Sequence, residues 1–152
     1  MGKQTVLKLA DLPGSVGQHL GYSDWHVIDQ AQINAFADAT GDHQWIHVDE
    51  ERAKAGPFGT TIGHGYLTLA LAPEFVFALL AVEGASLVIN YGLNKVRFPN
   101  PVPSGSRVRM GAEITGADPI KGGVQLTMTA TFEIDGQDKP ACVAEVVYRY
   151  YE

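Results

Sequence analysis

Residues 66–82 read YLTLALAPEFVFALLAV, a long and predominantly apolar stretch. Apolar side chains occur on nearly every side of it, so a helix built from it belongs in the interior of the protein. Pro73 should kink or break that helix, because proline has no amide hydrogen to donate and its ring clashes with the preceding turn. The sequence therefore predicts a central apolar helix around which the rest of the chain is arranged.

After this segment the apolar period changes from 3.6 to 2. Such alternation is typical of antiparallel strands with one buried and one solvated face. The alternating apolar positions of three successive strands are Leu87, Ile89, Tyr91 and Leu93, then Val108, Met110, Ala112 and Ile114, then Val124, Leu126, Met128, Ala130, Phe132 and Ile134. A last strand is predicted over residues 142–150, with tight turns at residues 122–123 and at Gly136.

The residues before the apolar helix predict two further helices. Asp29 and Gln32 have the spacing of a capping box, and Gly41 is placed to end the helix that they begin. The face of that helix predicted to be buried comprises Ile33, Phe36, Ala37 and Thr40. A shorter helix is predicted over residues 49–56, and residues 42–48, which have no helical period, are predicted to be a loop.

One buried helix with four or five long antiparallel strands predicts an α+β hot-dog fold, in which an antiparallel sheet wraps around a central helix. The 152 residues fit a single domain over 1–152, and 45% hydrophobic residues supply a real core. A net charge of −6 argues against a nucleic-acid partner, which requires a basic face. Cys142 is the single cysteine, so no internal disulfide forms, and a cytoplasmic protein without a secretory signal or membrane span is expected.

Two segments concentrate groups that could carry chemistry. Asp42 and His47 are five residues apart in the predicted loop, where a carboxylate and an imidazole can share one water as a general acid/base pair. On spacing alone, a turn-capping Asp42 and a structural His47 are the more economical interpretation. Residues 62–66 precede the apolar helix, whose first backbone amides, near Gly65, can hold a developing oxyanion.

These segments resemble a known family. Residues 36–47 read FADATGDHQWIH and residues 62–65 read IGHG, which is similar to the hydratase-2 motif of the MaoC-like (R)-specific enoyl-CoA hydratases, including their NodN-like members. The stretch NYGLNKVRF at residues 90–98 resembles the segment before the CoA-facing edge in these proteins. Gln44 and Trp45 replace the Asn-Pro of the family pattern, whereas Asp42 and His47 keep its spacing.

The resemblance implies a lyase of fatty acid metabolism that adds water reversibly to a trans-2-enoyl-CoA and gives an (R)-3-hydroxyacyl-CoA. It implies catalytic roles for Asp42, His47 and the Gly65 amide, with no metal and no cofactor besides the CoA thioester substrate. The substrate-binding residues that we expect are Gln44, Gly63, His64, Tyr66, Asn90, Arg97 and Phe98. Of the strand cations that could meet CoA phosphates, Arg97 and neighbouring Lys95 are favoured over Arg107 and Arg109.

Three other interpretations stay open at this point. A metal site could be assembled from the histidines around His47, although no recognised ligand motif supports one. A hot-dog thioesterase could use Glu74, which lies in the apolar helix, to activate water on the thioester carbon. A non-catalytic acyl-CoA-binding protein would need the same cavity without the acid/base pair. A homodimer is expected in each case, because one hot-dog subunit leaves a sheet edge uncovered.

Overall fold

The computed structural model describes residues 3–152. Its helices are a 3-10 helix at Leu9–Ser15 and the α-helices α1 (Gln30–Thr40), α2 (Trp45–Val48), α3 (Glu50–Lys54), α4 (Gly65–Ala70) and α5 (Ala72–Leu79). Its strands are β1 (Thr5–Lys8), β2 (His19–Tyr22), β3 (His26–Ile28), β4 (Ile62–Gly63), β5 (Leu80–Glu83), β6 (Leu87–Arg97), β7 (Val102–Pro103), β8 (Ser106–Ile120), β9 (Gly123–Ile134) and β10 (Cys142–Tyr151). Within the described residues, no helix is both long enough and apolar enough to cross a membrane.

The main sheet has six antiparallel strands in the order β2-β8-β9-β10-β6, with β3 also pairing with β8. Its register aligns Ala112, Ala130 and Ala144 across the three central strands, all on the buried face. Two smaller sheets join β1 with β5 and β4 with β7. The β4–β7 pair matters for function, because it holds residues 62–63 directly before α4.

The core lies between the main sheet and the helices. The alternating apolar residues of β8 and β9 are buried as predicted, from Val108 to Ile134. On the helical side, Phe75 of α5 is buried, and its ring centroid lies 6.2 Å from that of Phe132 in β9. The predicted hot-dog architecture, a long antiparallel sheet packed around an apolar helix, is confirmed.

The apolar stretch at residues 66–82 has the expected break near Pro73, but its last residues form a strand and not a helix, which corrects the prediction. It forms α4 and α5, divided at Leu71, and the chain then enters β5 at Leu80. Pro73 lies in the first turn of α5, a position whose amide needs no intrahelical acceptor, so the break that it predicted starts a second helix. Residues 80–83 become a strand because their backbone pairs in parallel with β1.

The apolar face of β6 is also placed differently from the prediction. Leu87, Ile89, Tyr91 and Leu93 alternate as expected, but each is more than 40% exposed. The two-residue period is therefore confirmed, but the predicted buried face is wrong. The other face of β6, through Val88 and Val96, packs on the core. β6 is also an edge strand of the main sheet.

The segment between α1 and α3 contains a helical turn that was predicted as loop. Residues 45–48 form α2, closed by a hydrogen bond from the Asp49 amide to the Trp45 carbonyl oxygen, and one turn is too short to show a period. The ends of α1 agree with the prediction: Asp29 accepts from the Gln32 amide at 2.9 Å, and Gly41 has a φ of 84°. On the predicted buried face, Thr40 is exposed instead.

Candidate active site

The imidazole of His47 is buried and held in one orientation. Its Nδ1 lies 2.7 Å from the carbonyl oxygen of Ile62, at the start of β4. A carbonyl oxygen only accepts, so Nδ1 carries the hydrogen. In the neutral ring, Nε2 is then left with a lone pair that can accept a hydrogen bond from water.

The backbone of His47 is fixed by a second contact to the same strand. Gln30 Nε2 donates to the His47 carbonyl oxygen at 2.8 Å, and Gln30 Oε1 accepts from the buried Thr61 hydroxyl at 2.5 Å. Residues 61 and 62 therefore hold both the backbone and the ring of His47. Sequence reasoning missed Gln30 and Thr61, because they lie 17 and 14 residues from His47 and no local pattern links them.

His64 connects His47 with Asp42. Its ring stacks on that of His47, with centroids 3.8 Å apart and an interplanar angle of 21°. His64 Nε2 donates to the backbone carbonyl oxygen of Asp42 at 3.0 Å, and Phe36 packs against the same ring from α1. The buried His64 thus fixes the backbone of Asp42, whose carboxylate remains about half exposed to solvent.

The carboxylate of Asp42 and the two imidazoles converge on one small volume. A carboxylate oxygen of Asp42 and one ring nitrogen each of His47 and His64 all lie within 4.8 Å of one another. Two hydrogen bonds of about 2.8 Å that meet at one water span about 4.6 Å. A carboxylate oxygen of Asp42 and a ring nitrogen of His47 are therefore close enough for a single water to bridge them.

The same three residues do not fit a metal ion well. The lone pairs of stacked rings lie in two separate, nearly parallel planes, whereas the lone pairs of ligands to one ion must converge on a point. His47 Nδ1 and His64 Nε2 also donate to carbonyl oxygens, which removes one nitrogen of each ring as a ligand. The arrangement suits proton transfer better than metal coordination.

A cavity of about 220 Å³ lies beside His47, whereas Asp42 and His64 are not part of its lining. Gly65, the first residue of α4, lines it together with His47, and a Cβ on Gly65 would lie only 3.0 Å from the Phe98 ring. The cavity is lined by His47, Phe58, Ile62, Gly63, Gly65, Thr68, Phe98, Asn100, Pro101, Val102 and Ala141. It brings the imidazole of His47 and the start of α4 to one mostly apolar space.

Other predicted substrate residues lie around the rim or further away. Tyr66 is 72% exposed and meets Phe98 edge to face, while Asn90 lies with Tyr66 in a separate groove of about 320 Å³ between α4 and β6. Gln44 is exposed at the start of α2. Arg97 is exposed, and its guanidinium donates to the neighbouring Val96 carbonyl oxygen.

The two arginines that were not favoured for CoA binding form ion pairs elsewhere, and the carboxylate considered for a thioesterase lies away from this cavity. Arg107 and Arg109 form ion pairs with Asp135 and Glu133 on the outer face of the sheet. Glu74 is exposed in the first turn of α5 and lines a different cavity. None of these three side chains lines the cavity of His47 and Gly65.

Trp45, which departs from the family pattern, and His43, whose pKa is raised, lie outside this cavity. Trp45 is the first residue of α2, where a proline would also be tolerated, and its ring packs against Gly56 and under the Arg52 guanidinium at 4.3 Å. The hydrogen bond that His43 donates to the Asp38 carboxylate raises the pKa of His43, whose side chain is exposed. Neither side chain belongs to the lining that His47 and Gly65 share.

Comparison with known proteins identifies the family of this chain. The family model described as MaoC like domain matches residues 11–135. The 3-hydroxyacyl-thioester dehydratase Z of Mycobacterium tuberculosis is 56% identical over 148 residues, which cover 97% of this chain and 98% of that protein. Nodulation protein N of Rhizobium leguminosarum bv. viciae is 45% identical over 142 residues, covering 91% and 88%.

Among solved structures, an (R)-hydratase from A. caviae involved in PHA biosynthesis superposes with a TM-score of 0.73 at 26% identity, over 88% of this chain and 94% of that one. The sheet topology and these matches define a hot-dog enzyme of the hydratase and dehydratase class. Within that class, the chain belongs to the MaoC-like family. The resemblance in its sequence is confirmed, while the roles of individual site residues stay predictions.

Proposed function

We propose that this enzyme is an (R)-specific hydratase that adds water reversibly to trans-2-enoyl-CoA and gives (R)-3-hydroxyacyl-CoA. The observation that carries the proposal is the spacing of the Asp42 carboxylate and the His47 imidazole around one water-sized position beside the cavity at Gly65. The relative named 3-hydroxyacyl-thioester dehydratase supports the same substrate class. The likeness to a solved (R)-hydratase supports the stereochemistry.

Asp42 and His47 divide the proton chemistry. His47 Nε2 accepts one hydrogen of the bound water, because Nδ1 is committed to the Ile62 carbonyl oxygen. Asp42 takes the other proton as the water oxygen forms its bond to C3. The pair then returns a proton to C2, so that H and OH are added to one face of the double bond and both groups are regenerated.

The negative charge that develops on the thioester oxygen is stabilised by the Gly65 amide. Gly65 is the first helical residue of α4, where an amide has no intrahelical acceptor. Each preorganised donor of this kind contributes roughly 3–4 kcal/mol in other enzymes. The absence of a Cβ on Gly65 allows Phe98 to close over the same site. No metal or redox cofactor is needed for these steps.

The rest of the substrate follows from the cavity and its rim. Apolar residues such as Phe58, Phe98 and Val102 suit an acyl chain. The exposed Arg97, one residue before Phe98, is the candidate for the CoA phosphates. Tyr66 and Asn90, which line the groove between α4 and β6, and the exposed Lys95 are candidates for the remainder of CoA.

We propose that the active form is a homodimer in which β6 is covered by a second copy. Within residues 3–152, β6 pairs only with β10, so its outer edge has free backbone groups. Ile89, Tyr91 and Leu93 leave an apolar surface on that strand. An exposed apolar edge strand favours pairing with another chain.

The oligomeric state is tested by sedimentation of the wild type and of a variant in which Ile89 is replaced by Lys. The wild type is expected at twice the monomer mass, and Ile89→Lys should shift it toward the monomer. Val27→Lys, on the exposed face of β3, is the control. A monomeric wild type would contradict the dimer proposal without affecting the proposed chemistry.

Hydration is tested by incubating the protein with crotonyl-CoA and following the loss of enoyl absorbance. The product should be oxidised by an (R)-specific 3-hydroxyacyl-CoA dehydrogenase and not by an (S)-specific one. Absence of turnover over several acyl lengths, with tight acyl-CoA binding, would favour the non-catalytic binding protein instead.

The thioesterase alternative is tested in parallel by release of free thiol from the same substrates. Burial raises the pKa of Cys142, the single cysteine, to about 12, so the protein contributes little thiol signal of its own. Thiol release that is lost in Glu74→Gln and kept in Asp42→Asn would show that the hydratase proposal is wrong.

A further inference from the structure

Thr68 has a buried hydroxyl for which the protein supplies no partner. Its side chain is 1% exposed, and its Oγ1 makes no hydrogen bond within the described residues. Buried hydroxyls are almost always hydrogen-bonded, because an unpaired one costs free energy of folding. A hydroxyl in a helix usually avoids this cost by bonding to the carbonyl oxygen four residues earlier. Here that acceptor, the His64 carbonyl oxygen, instead receives the amides of Leu67 and Thr68.

The unpaired hydroxyl belongs to the cavity at the candidate active site. Thr68 lines the same cavity as His47 and Gly65. Most of the remaining lining, including Phe58 and Phe98, is apolar, and no protein group bonds to the Thr68 hydroxyl within the described residues. The hydroxyl is therefore available to a bound molecule.

Helix geometry places Thr68 near the amide proposed to stabilise the oxyanion. Thr68 follows Gly65 by three residues in α4, so the two lie on one side of the helix. Side chains in a helix lean toward its N-terminus, which brings the Thr68 hydroxyl toward the Gly65 amide. A substrate oxygen that reaches Gly65 would also be within range of Thr68.

We infer that the Thr68 hydroxyl is a second donor to the thioester oxygen of the substrate. This inference rests on the proposed hydratase function and deepens it by naming a further catalytic residue. Its bond strengthens as charge develops on the oxygen, so it stabilises the enolate-like state more than the bound substrate. No bond forms or breaks at Thr68, and its proton stays on Oγ1 throughout.

Replacing Thr68 with Val separates this role from a structural one. Valine has nearly the same shape and removes an unpaired hydroxyl from the interior, so Thr68→Val should raise Tm by about 2–4 °C. If the inference is right, kcat for crotonyl-CoA hydration falls about ten- to a hundredfold while KM changes much less. Thr68→Ser keeps the hydroxyl and should retain most of the activity. Thr129→Val, on the outer face of β9, is the matched control.

A spectroscopic measurement identifies the oxygen that Thr68 contacts. Crotonyl-CoA labelled with ¹³C at the thioester carbonyl is bound to Asp42→Asn, which should turn it over slowly, and to the Asp42→Asn, Thr68→Val double variant. Loss of one donor should move the carbonyl stretch to higher frequency in the double variant. A fall in kcat without that shift would overturn the assignment to the thioester oxygen.

The outcomes distinguish this inference from the proposed function. If the wild type hydrates crotonyl-CoA and Thr68→Val does so at the same kcat, the inference is wrong and the proposed function stands. A rise in KM alone would also overturn it, because it would show uniform binding rather than stabilisation of the developing charge. If the wild type has no hydratase activity, the proposed function itself fails.

Discussion

The central strands β8, β9 and β10 and the segment from Asp42 to Thr68 are held together by different means. In the strands, regular alternation buries one face, and the backbone pairs through long continuous ladders. In the other segment, side chains bond to backbone carbonyl oxygens far along the chain, as His47 does to Ile62 and His64 does to Asp42. The strands bury apolar area, whereas the segment around His47 positions polar groups.

Because of this difference, we expect substitutions in the strands to affect stability and substitutions around His47 to affect activity. Loss of a buried ring from β9 creates a void that the whole domain experiences. Loss of a partly exposed carboxylate such as Asp42 leaves the packing intact and removes only its chemistry. Substitutions in the strands should therefore change stability, and substitutions around His47 should change kinetic constants.

Asp42→Asn should lower kcat/KM for hydration by about 10²–10⁴-fold, because an amide cannot take the proton of the attacking water. The free energy of unfolding should change by less than about 0.5 kcal/mol, since the side chain is half exposed. Steady-state kinetics and urea unfolding of the same preparation provide both measurements. Asp38→Asn, four residues earlier and exposed, is the control. Retained activity in Asp42→Asn would contradict the proposed proton transfer.

Phe132→Ala should show the opposite pattern. The side chain is fully buried against Phe75, so its loss should lower the free energy of unfolding by about 3–5 kcal/mol. The folded fraction should keep its kcat, because Phe132 does not line the cavity at Gly65. Val16→Ala, on an exposed side chain, should change stability little. A large fall in kcat of folded Phe132→Ala would show that the two regions are coupled.

Gln30→Ala tests a contact from α1 that should affect both stability and activity. It frees the His47 backbone and leaves the buried Thr61 hydroxyl unpaired, which should cost about 1–3 kcal/mol of stability. Because His47 is less well placed, kcat should also fall about tenfold. Asn34→Ala removes only the exposed hydrogen bond from Gln30 to Asn34 and is the control. Equal effects of both variants on kcat would argue against Gln30 as a positioning residue.

The sequence predicted best the features that depend on residues close together in the chain. The buried faces of β8 and β9, the Asp29 cap and the end of α1 at Gly41 each follow from a pattern within a few residues. Where the long-range environment decides, prediction failed: β6 has the right period but lies at the sheet edge, and residues 80–83 pair with β1. The position of a strand in the sheet and the identity of its pairing partner cannot be read from the strand's own residues.

The candidate site shows the same division. A motif of short spacing drew attention to Asp42, His47 and Gly65, which the structure brings to one region. The sequence did not predict the roles of Gln30 and Thr61, because their hydrogen bonds join residues that are distant in sequence. Thr68 looked like one more residue of an apolar helix, and only its burial without a partner distinguishes it.

The smallest expected effect concerns charge in the sheet interior. Burial raises the pKa of Cys142 in β10 from about 9 to about 12, so at pH 10 the thiol is neutral in the folded protein and largely ionised in the unfolded chain. A raised folded-state pKa gives stability that is complete below pH 9 and is lost as the pH rises toward 12. Between pH 8 and pH 10 the wild type should lose about 1 kcal/mol more than Cys142→Ala in urea unfolding. Tyr148, whose pKa burial also raises to about 12, is common to both proteins and cancels in the difference. Equal losses in the two proteins would mean that the interior of the sheet admits the thiolate, and that the contrast with the solvated Asp42 carboxylate is weaker than the packing indicates.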